Sequence, residues 1–277
     1  MSGKPKKKKK ILLIVTLSLV LLFILGTGGL FLVGGKGLFI QKLAYVDVSD
    51  QMEAKQFTAS NGVTLPYRVS LPEGYDSEKE YPLVFYLHGA GERGTDNYMH
   101  VKVNSVMQTL LNEENREAYP CIVLAPQCPE DRFWYPWLEG DTNFTVTEAL
   151  VEFLEDAQES YSVDSRRIYI TGVSMGAIGT WAMLARFPDT FAAAVPVCGA
   201  GDPAQAASYA QVPIWVFHGK RDTIVSVSYA HEMVIALKEA GSTVVKYTEY
   251  PWENHACWEL AYREEELFPW MFAQIRP

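Results

Sequence analysis

The stretch Ile168-Tyr169-Ile170-Thr171-Gly172-Val173-Ser174-Met175-Gly176-Ala177 decides the reading of this chain. An apolar run that suits a buried strand meets Gly-x-Ser-x-Gly, and a helix-compatible run follows with Ile178, Trp181, Ala182, Met183 and Leu184. Projecting Ser174 from the end of a strand requires a sharp fold of the backbone, with the serine at the apex. Glycines at 172 and 176 remove side chains that would collide as strand and helix close on each other. The first amides of the new helix are free donors and point where negative charge on a reacting oxygen would form. Gly-x-Ser-x-Gly alone arises by chance; the strand before it and the helix after it make it informative.

Outward from this turn, strands and helices alternate. Asn61-Gly62 predicts a hairpin between strands at 56–60 and 63–70. Pro82 to Leu87 reads as a buried strand that runs into His88-Gly89-Ala90-Gly91-Glu92-Arg93-Gly94. Cys121 to Pro126 is a further strand, and Thr145-x-x-Glu148 predicts a capping box opening a helix to about Tyr161. Strands are expected at 191–197, 212–217 and 243–250, with helices at about 228–240 and 258–275. The alternation predicts an α/β domain with a mostly parallel sheet covered on both faces. No internal repeat is evident.

A serine becomes a nucleophile only when a base takes its proton. Three histidines follow the turn: His218 ends a strand, His231 falls within an expected helix, and His255 lies in a loop after the last strand. His255 is therefore the expected base. The acid that orients it is expected at Asp222, in the loop after a strand, with Asp202 as runner-up. The glycine-rich loop after the strand at 82–87 can lend a second oxyanion donor, so the backbone N–H groups of Ala90 and Met175 are the expected pair. His88 is expected to be structural, and Glu92 and Arg93 to brace the loop or stand solvated.

Leu87-His88-Gly89-Ala90-Gly91-Glu92-Arg93-Gly94, Ala125-Pro126-Gln127-Cys128-Pro129, the stretch from Arg167 to Gly176 and His218-Gly219-Lys220-Arg221-Asp222 resemble the peptidase/esterase group of the α/β-hydrolase superfamily. That group is related to polyhydroxybutyrate depolymerases, feruloyl esterases and the catalytic domain of prolyl oligopeptidase. The resemblance runs from about Gln56 to Ile275. It implies an α/β-hydrolase fold and a Ser174–His255–Asp222 triad performing two-step acyl transfer, without a cofactor. Ala177 stands where such relatives often carry another glycine. The resemblance does not settle the substrate.

The net charge is −9. Six of the 24 basic residues lie in the first ten positions, so the rest of the chain sets 18 bases against 33 acids. An acidic body argues against nucleic acid as a partner. The lysine run precedes Ile11 to Val33, which carries no charge. Those residues would span roughly 35 Å as a helix, enough for a bilayer core of ~30 Å. The expected organisation is a basic cytoplasmic tail (1–10), a transmembrane signal-anchor (11–33), a linker (34–50) and an extracytoplasmic catalytic domain (51–277). A cleaved signal peptide, with the body secreted, is the alternative. Cysteines 121, 128, 198 and 257 permit disulfides without specifying a pairing, and no His/Cys spacing suggests a metal site.

The leading expectation is a membrane-anchored carboxylesterase acting on carbohydrate or aromatic acid esters. Trp134 and Trp137, in the segment Phe133-Trp134-Tyr135-Pro136-Trp137, are candidates to stack on the substrate, and Trp252 and Trp258 flank His255. Plain packing is the competing reading of these aromatics. A serine peptidase of prolyl oligopeptidase type and an inactive membrane-tethered binding module are the alternatives. Neither the oligomeric state nor the natural ester follows from the sequence.

Overall fold

The computed structural model describes residues 47–102, 105–136 and 143–277, all within one compact unit, Tyr45–Pro277. The expected basic tail, the segment 11–33 and Trp137 lie outside the described residues. Among the described residues no helix is long and apolar enough to cross a membrane. Residues 47–50, placed in the linker by the sequence, pack on the body. Val48 is only 4% exposed, and Arg68 donates to the carbonyls of Ser49 and Met52 at 3.0 Å each.

Eight strands form one sheet: β1 (Glu53–Thr58), β2 (Thr64–Ser70), β3 (Tyr81–Leu87), β4 (Ile122–Pro126), β5 (Val163–Val173), β6 (Ala193–Val197), β7 (Ile214–Gly219) and β8 (Val245–Tyr250). Their order is β1-β2-β4-β3-β5-β6-β7-β8. β1 and β2 pair antiparallel, as do β2 and β4; every later pairing is parallel. The helices are α1 (Met99–Lys102), α2 (Ser105–Leu110), α3 (Glu113–Ala118), α4 (Thr145–Ser160), α5 (Met175–Arg186), α6 (Val227–Glu239), α7 (Trp258–Ala261) and α8 (Leu267–Phe272).

The continuous apolar runs of β3 and β5 suit strands buried on both faces. Leu83, Phe85, Leu87, Ile168 and Ile170 face a layer that holds Phe153 of α4, Trp181 of α5 and Met233 of α6. Val84, Tyr86, Tyr169 and Val173 face the opposite layer, with Met107 of α2, Ala261 of α7 and Met271 of α8. Burying each such side chain contributes about 1.5–3 kcal/mol, which fixes β3 and β5 at the sheet centre. The C-terminal ends of these parallel strands therefore deliver their loops to one edge, where ligand sites of open α/β sheets form.

Three local expectations are corrected. The hairpin turn spans Ala59 to Val63 rather than two residues: Thr58 pairs with Thr64, and the Asn61 side chain accepts from the Val63 amide at 3.1 Å. The capping box does not form; the Asn143 side chain accepts from the amide and hydroxyl of Thr145 at 3.3 and 2.7 Å, and Phe144 stands at the cap with no side-chain bond. The helix expected at 258–275 is two, α7 and α8. Pro269 is tolerated only in the first turn of a helix because it has no N–H to give, so a new helix has to begin near Leu267.

Candidate active site

Ser174 sits between the end of β5 and the start of α5 with φ 54° and ψ −118°, a left-handed conformation that costs a non-glycine residue about 1–3 kcal/mol. Its amide donates to Val197 O at 2.9 Å, and its carbonyl accepts from Ala177 at 2.9 Å and Ile178 at 3.2 Å. The flanking glycines are steric necessities. A Cβ on Gly176 would lie 1.9 Å from Leu87 O, and one on Gly172 would lie 2.4 Å from Gly176 O.

Two loops from the later strands meet the serine. The Ser174 hydroxyl donates to His255 Nε2 at 2.8 Å, and His255 Nδ1 donates to Asp222 Oδ2 at 2.7 Å. The three expected residues are thus in one hydrogen-bonded line. Asp222 is buried, and its other oxygen accepts from the amides of Ile224 at 2.8 Å and Val225 at 2.9 Å. Those bonds hold it as an oriented acceptor. The runner-up Asp202 lies elsewhere, accepting from the Ala204 amide at 3.0 Å at the head of the turn Pro203–Tyr209.

Sequence reasoning placed His218 only at the end of a strand and missed its place beside Asp222. It is buried at the end of β7, with Nε2 2.9 Å from Val225 O and 3.2 Å from Asp222 Oδ2. Burial lowers its pKa, so the neutral ring gives its Nε2 proton to Val225 O and packs beside the Asp222 carboxylate. Its four-residue spacing from Asp222 across the β7 turn was the available signal.

The glycine-rich loop after β3 lies against the serine. A Cβ on Gly89 would be 3.7 Å from Ser174 Cβ and 3.6 Å from Val173 O. Ala90 opens a short 3-10 turn, Ala90–Glu92, and Met175 is the first residue of α5; neither amide has a partner among the described residues. Glu92 pairs with no arginine among the described residues: its carboxyl sits 3.8 Å from His88 Nδ1, with its pKa raised by burial. Arg93 instead donates to Ala90 O at 2.9 Å and lies over the Phe133 ring at 5.0 Å.

Trp134, expected as a stacking surface for substrate, is corrected. It is 0% exposed, and its indole N–H donates to His88 O at 2.9 Å; a buried indole offers no face to a ligand. Trp258 stands edge-on to His255 at 5.6 Å between centroids, whereas Trp252 is 73% exposed under the Arg221 guanidinium at 4.6 Å. A cavity of about 240 Å³ begins one helical turn beyond Ser174, lined by Ile178, Trp181, Ala185, Arg186, Asp202 and Tyr209. It has room for one ring-sized group.

All four cysteines are free and buried. Cys198 lies beside Cys257 and far above its usual thiol pKa, through burial first and the second thiol next. Cys198 Sγ, an Asp222 oxygen and a His255 nitrogen lie within 4.8 Å of one another. Asp222 and His255 are already bonded to each other, and a protonated thiol is a poor ligand, so the donor set fits a hydrogen-bonded relay better than a metal site.

Residues 59–264 match the Esterase family model. A solved thermostable esterase superposes with a TM-score of 0.78 at 38% identity, over 83% of this chain and 64% of that one. A solved ferulic acid esterase superposes with a TM-score of 0.58 at 21% identity, over 80% of this chain and 97% of that one, and shows a shared fold alone. Poly(3-hydroxyalkanoate) depolymerase C of Paucimonas lemoignei is 38% identical over 68 residues, 24% of this chain and 16% of the depolymerase. The chain thus spans under two thirds of the thermostable esterase and a small part of the depolymerase.

Proposed function

The chain belongs to the Esterase family, and from that premise we propose that it is a serine carboxylesterase, tethered to the membrane by residues 11–33 and active outside the cytoplasm. The observation that carries the reaction is the unbroken line from the Ser174 hydroxyl through His255 to Asp222, at 2.8 and 2.7 Å.

The mechanism follows from that line. Ser174 Oγ forms a bond to the ester carbonyl carbon as its proton passes to His255 Nε2. The carbonyl oxygen takes the charge and is met by the N–H groups of Met175 and Ala90; each such donor is worth about 10²–10³ in kcat. Asp222 stabilises the imidazolium and keeps Nδ1 protonated. His255 returns the proton to the departing alkoxide, and the acyl-enzyme is then cleaved by water under the same base. The cavity beside Ile178 and Trp181 suits a sugar or aromatic ring on the acid or the alcohol side. The lysine run and the uncharged 23 residues that follow support the tether.

Hydrolysis of acetyl, feruloyl and sugar esters by the full chain in detergent micelles tests this reading, with Ser174→Ala as control. Ester turnover absent from the variant is the expected result. Rapid cleavage of proline-containing peptide anilides with poor ester turnover would replace the esterase by a peptidase. A Ser174 that no fluorophosphonate labels would leave a binding module.

A further inference from the structure

The loop that passes Ser174 is fastened by its carbonyls. Trp134 Nε1 donates to His88 O at 2.9 Å, His88 Nδ1 to Gly89 O at 2.6 Å, Arg93 Nε to Ala90 O at 2.9 Å and Gln127 Nε2 to Glu92 O at 3.0 Å. The chain has no cis peptide among its described residues, and a trans peptide holds its C=O and N–H antiparallel. A donor that draws the Gly89 carbonyl to one side therefore turns the Ala90 N–H to the other.

The His88 ring gives its one proton to Gly89 O at 2.6 Å, the shorter of the two bonds this carbonyl accepts, the other coming from the Glu92 amide at 3.3 Å. The ring is fully buried, and its Nε2 accepts the Cys128 amide at 2.9 Å. That bond makes Nε2 the lone-pair nitrogen and leaves the proton on Nδ1. Burial lowers its pKa to about 3, so the ring stays neutral with this tautomer. Trp134 meets it edge-on at 5.0 Å and the His100 ring lies at 5.8 Å, and the bonds at Nδ1 and Nε2 hold the imidazole in this orientation. Neither nitrogen faces a substrate.

We propose that His88 is the positioning residue of the oxyanion hole: its bond to Gly89 O sets the plane of the Gly89–Ala90 peptide and so aims the Ala90 N–H at the oxygen of the carbonyl attacked by Ser174. Trp134 assists by holding the His88 carbonyl. This rests on the serine-hydrolase reading above and assigns His88 no contact with substrate.

Two variants of similar polarity separate this role from a merely structural one. Asn carries its amide N–H near the place of imidazole Nδ1, and Gln carries its amide near the place of Nε2. His88→Asn keeps the bond to Gly89 O, whereas His88→Gln keeps the bond from Cys128; a purely structural role would weaken both alike. The readout is the rate at which a fluorophosphonate labels Ser174, since its P=O oxygen needs the same donors, together with kcat and KM on p-nitrophenyl acetate. The expected result is His88→Asn within about fivefold of the parent, and His88→Gln about 10² slower in labelling and kcat with KM held, at matching melting temperatures. Equal rates for the two variants, or rates that follow melting temperature alone, would overturn the proposal. A parent protein that labels but cleaves no ester would sink the esterase reading while the labelling rates still decide the role of His88; a parent Ser174 that does not label would sink both.

Discussion

Two loops reach Ser174 from opposite sides, and they are held in different ways. The loop at 88–93 is fastened by side chains: an indole, an imidazole, a guanidinium and an amide each hold one of its carbonyls. The loop at 251–257 carries His255, the base of the proposed mechanism, yet lies in solvent at Trp252 and Asn254. It is held by backbone. Arg221 N donates to Glu253 O at 2.9 Å, and Gly219 lies so close that a Cβ there would be 2.2 Å from Asn254 O. The contrast suits the task each loop has in the proposed mechanism. Oxyanion donors stabilise charge best when fixed in advance and shielded from water, whereas the base has to exchange protons with a leaving group and with incoming water.

The largest expected effect breaks the open side. Asp222→Asn should lower kcat by about 10⁴ through the wrong histidine tautomer, with KM little changed. Steady-state kinetics on p-nitrophenyl acetate checks it, and a loss under tenfold would mean that Asp222 does not orient His255.

On the fastened side, Trp134→Phe leaves the buried His88 carbonyl without its donor and should cost about 1–3 kcal/mol, read from the urea midpoint. Unchanged stability would show that the indole bond does not hold the loop.

A pH dependence sharpens the same contrast. His88 and His100 have native pKa values lowered by burial to about 3 and about 4, from an ordinary 6.5. Below 6.5 the unfolded chain takes up protons that the native rings refuse, so this contribution is full above 6.5 and lost as pH falls toward those native values. Glu92, whose pKa is raised by burial, opposes the trend. The informative quantity is a difference: His88→Asn should flatten the slope of stability against pH between 5 and 6 by about one proton, or roughly 1.4 kcal/mol per pH unit. Parallel slopes in urea titrations would contradict a buried neutral His88.

The smallest effect is Trp252→Ala. Its exposed ring under Arg221 should be worth about 0.5–1 kcal/mol, with kcat unchanged. A tenfold rise in KM would make it a substrate contact instead.

The strand-and-helix order was legible because β3, β5 and α5 write their burial into long apolar runs. The line Ser174, Asp222, His255 was legible too, because each residue follows a strand that ends at the same edge of a parallel sheet. What stayed hidden depends on contacts distant in sequence. Trp134 is 46 residues from the carbonyl it holds, and nothing local to Phe133-Trp134-Tyr135 tells a buried ring from a stacking surface. His218 lies against Asp222 only because the chain turns back at the end of β7. The sequence by itself determined an α/β sheet, a strained serine at a strand–helix turn, and the residues able to activate it. Only the tertiary structure decided that His88 is a buried donor to Gly89 O, that Trp134 holds the His88 carbonyl, and that Asp222 lies between the rings of His255 and His218. The physical reason is that periodicity records which face of an element is buried, whereas a hydrogen bond between loops is set by where the sheet brings their ends.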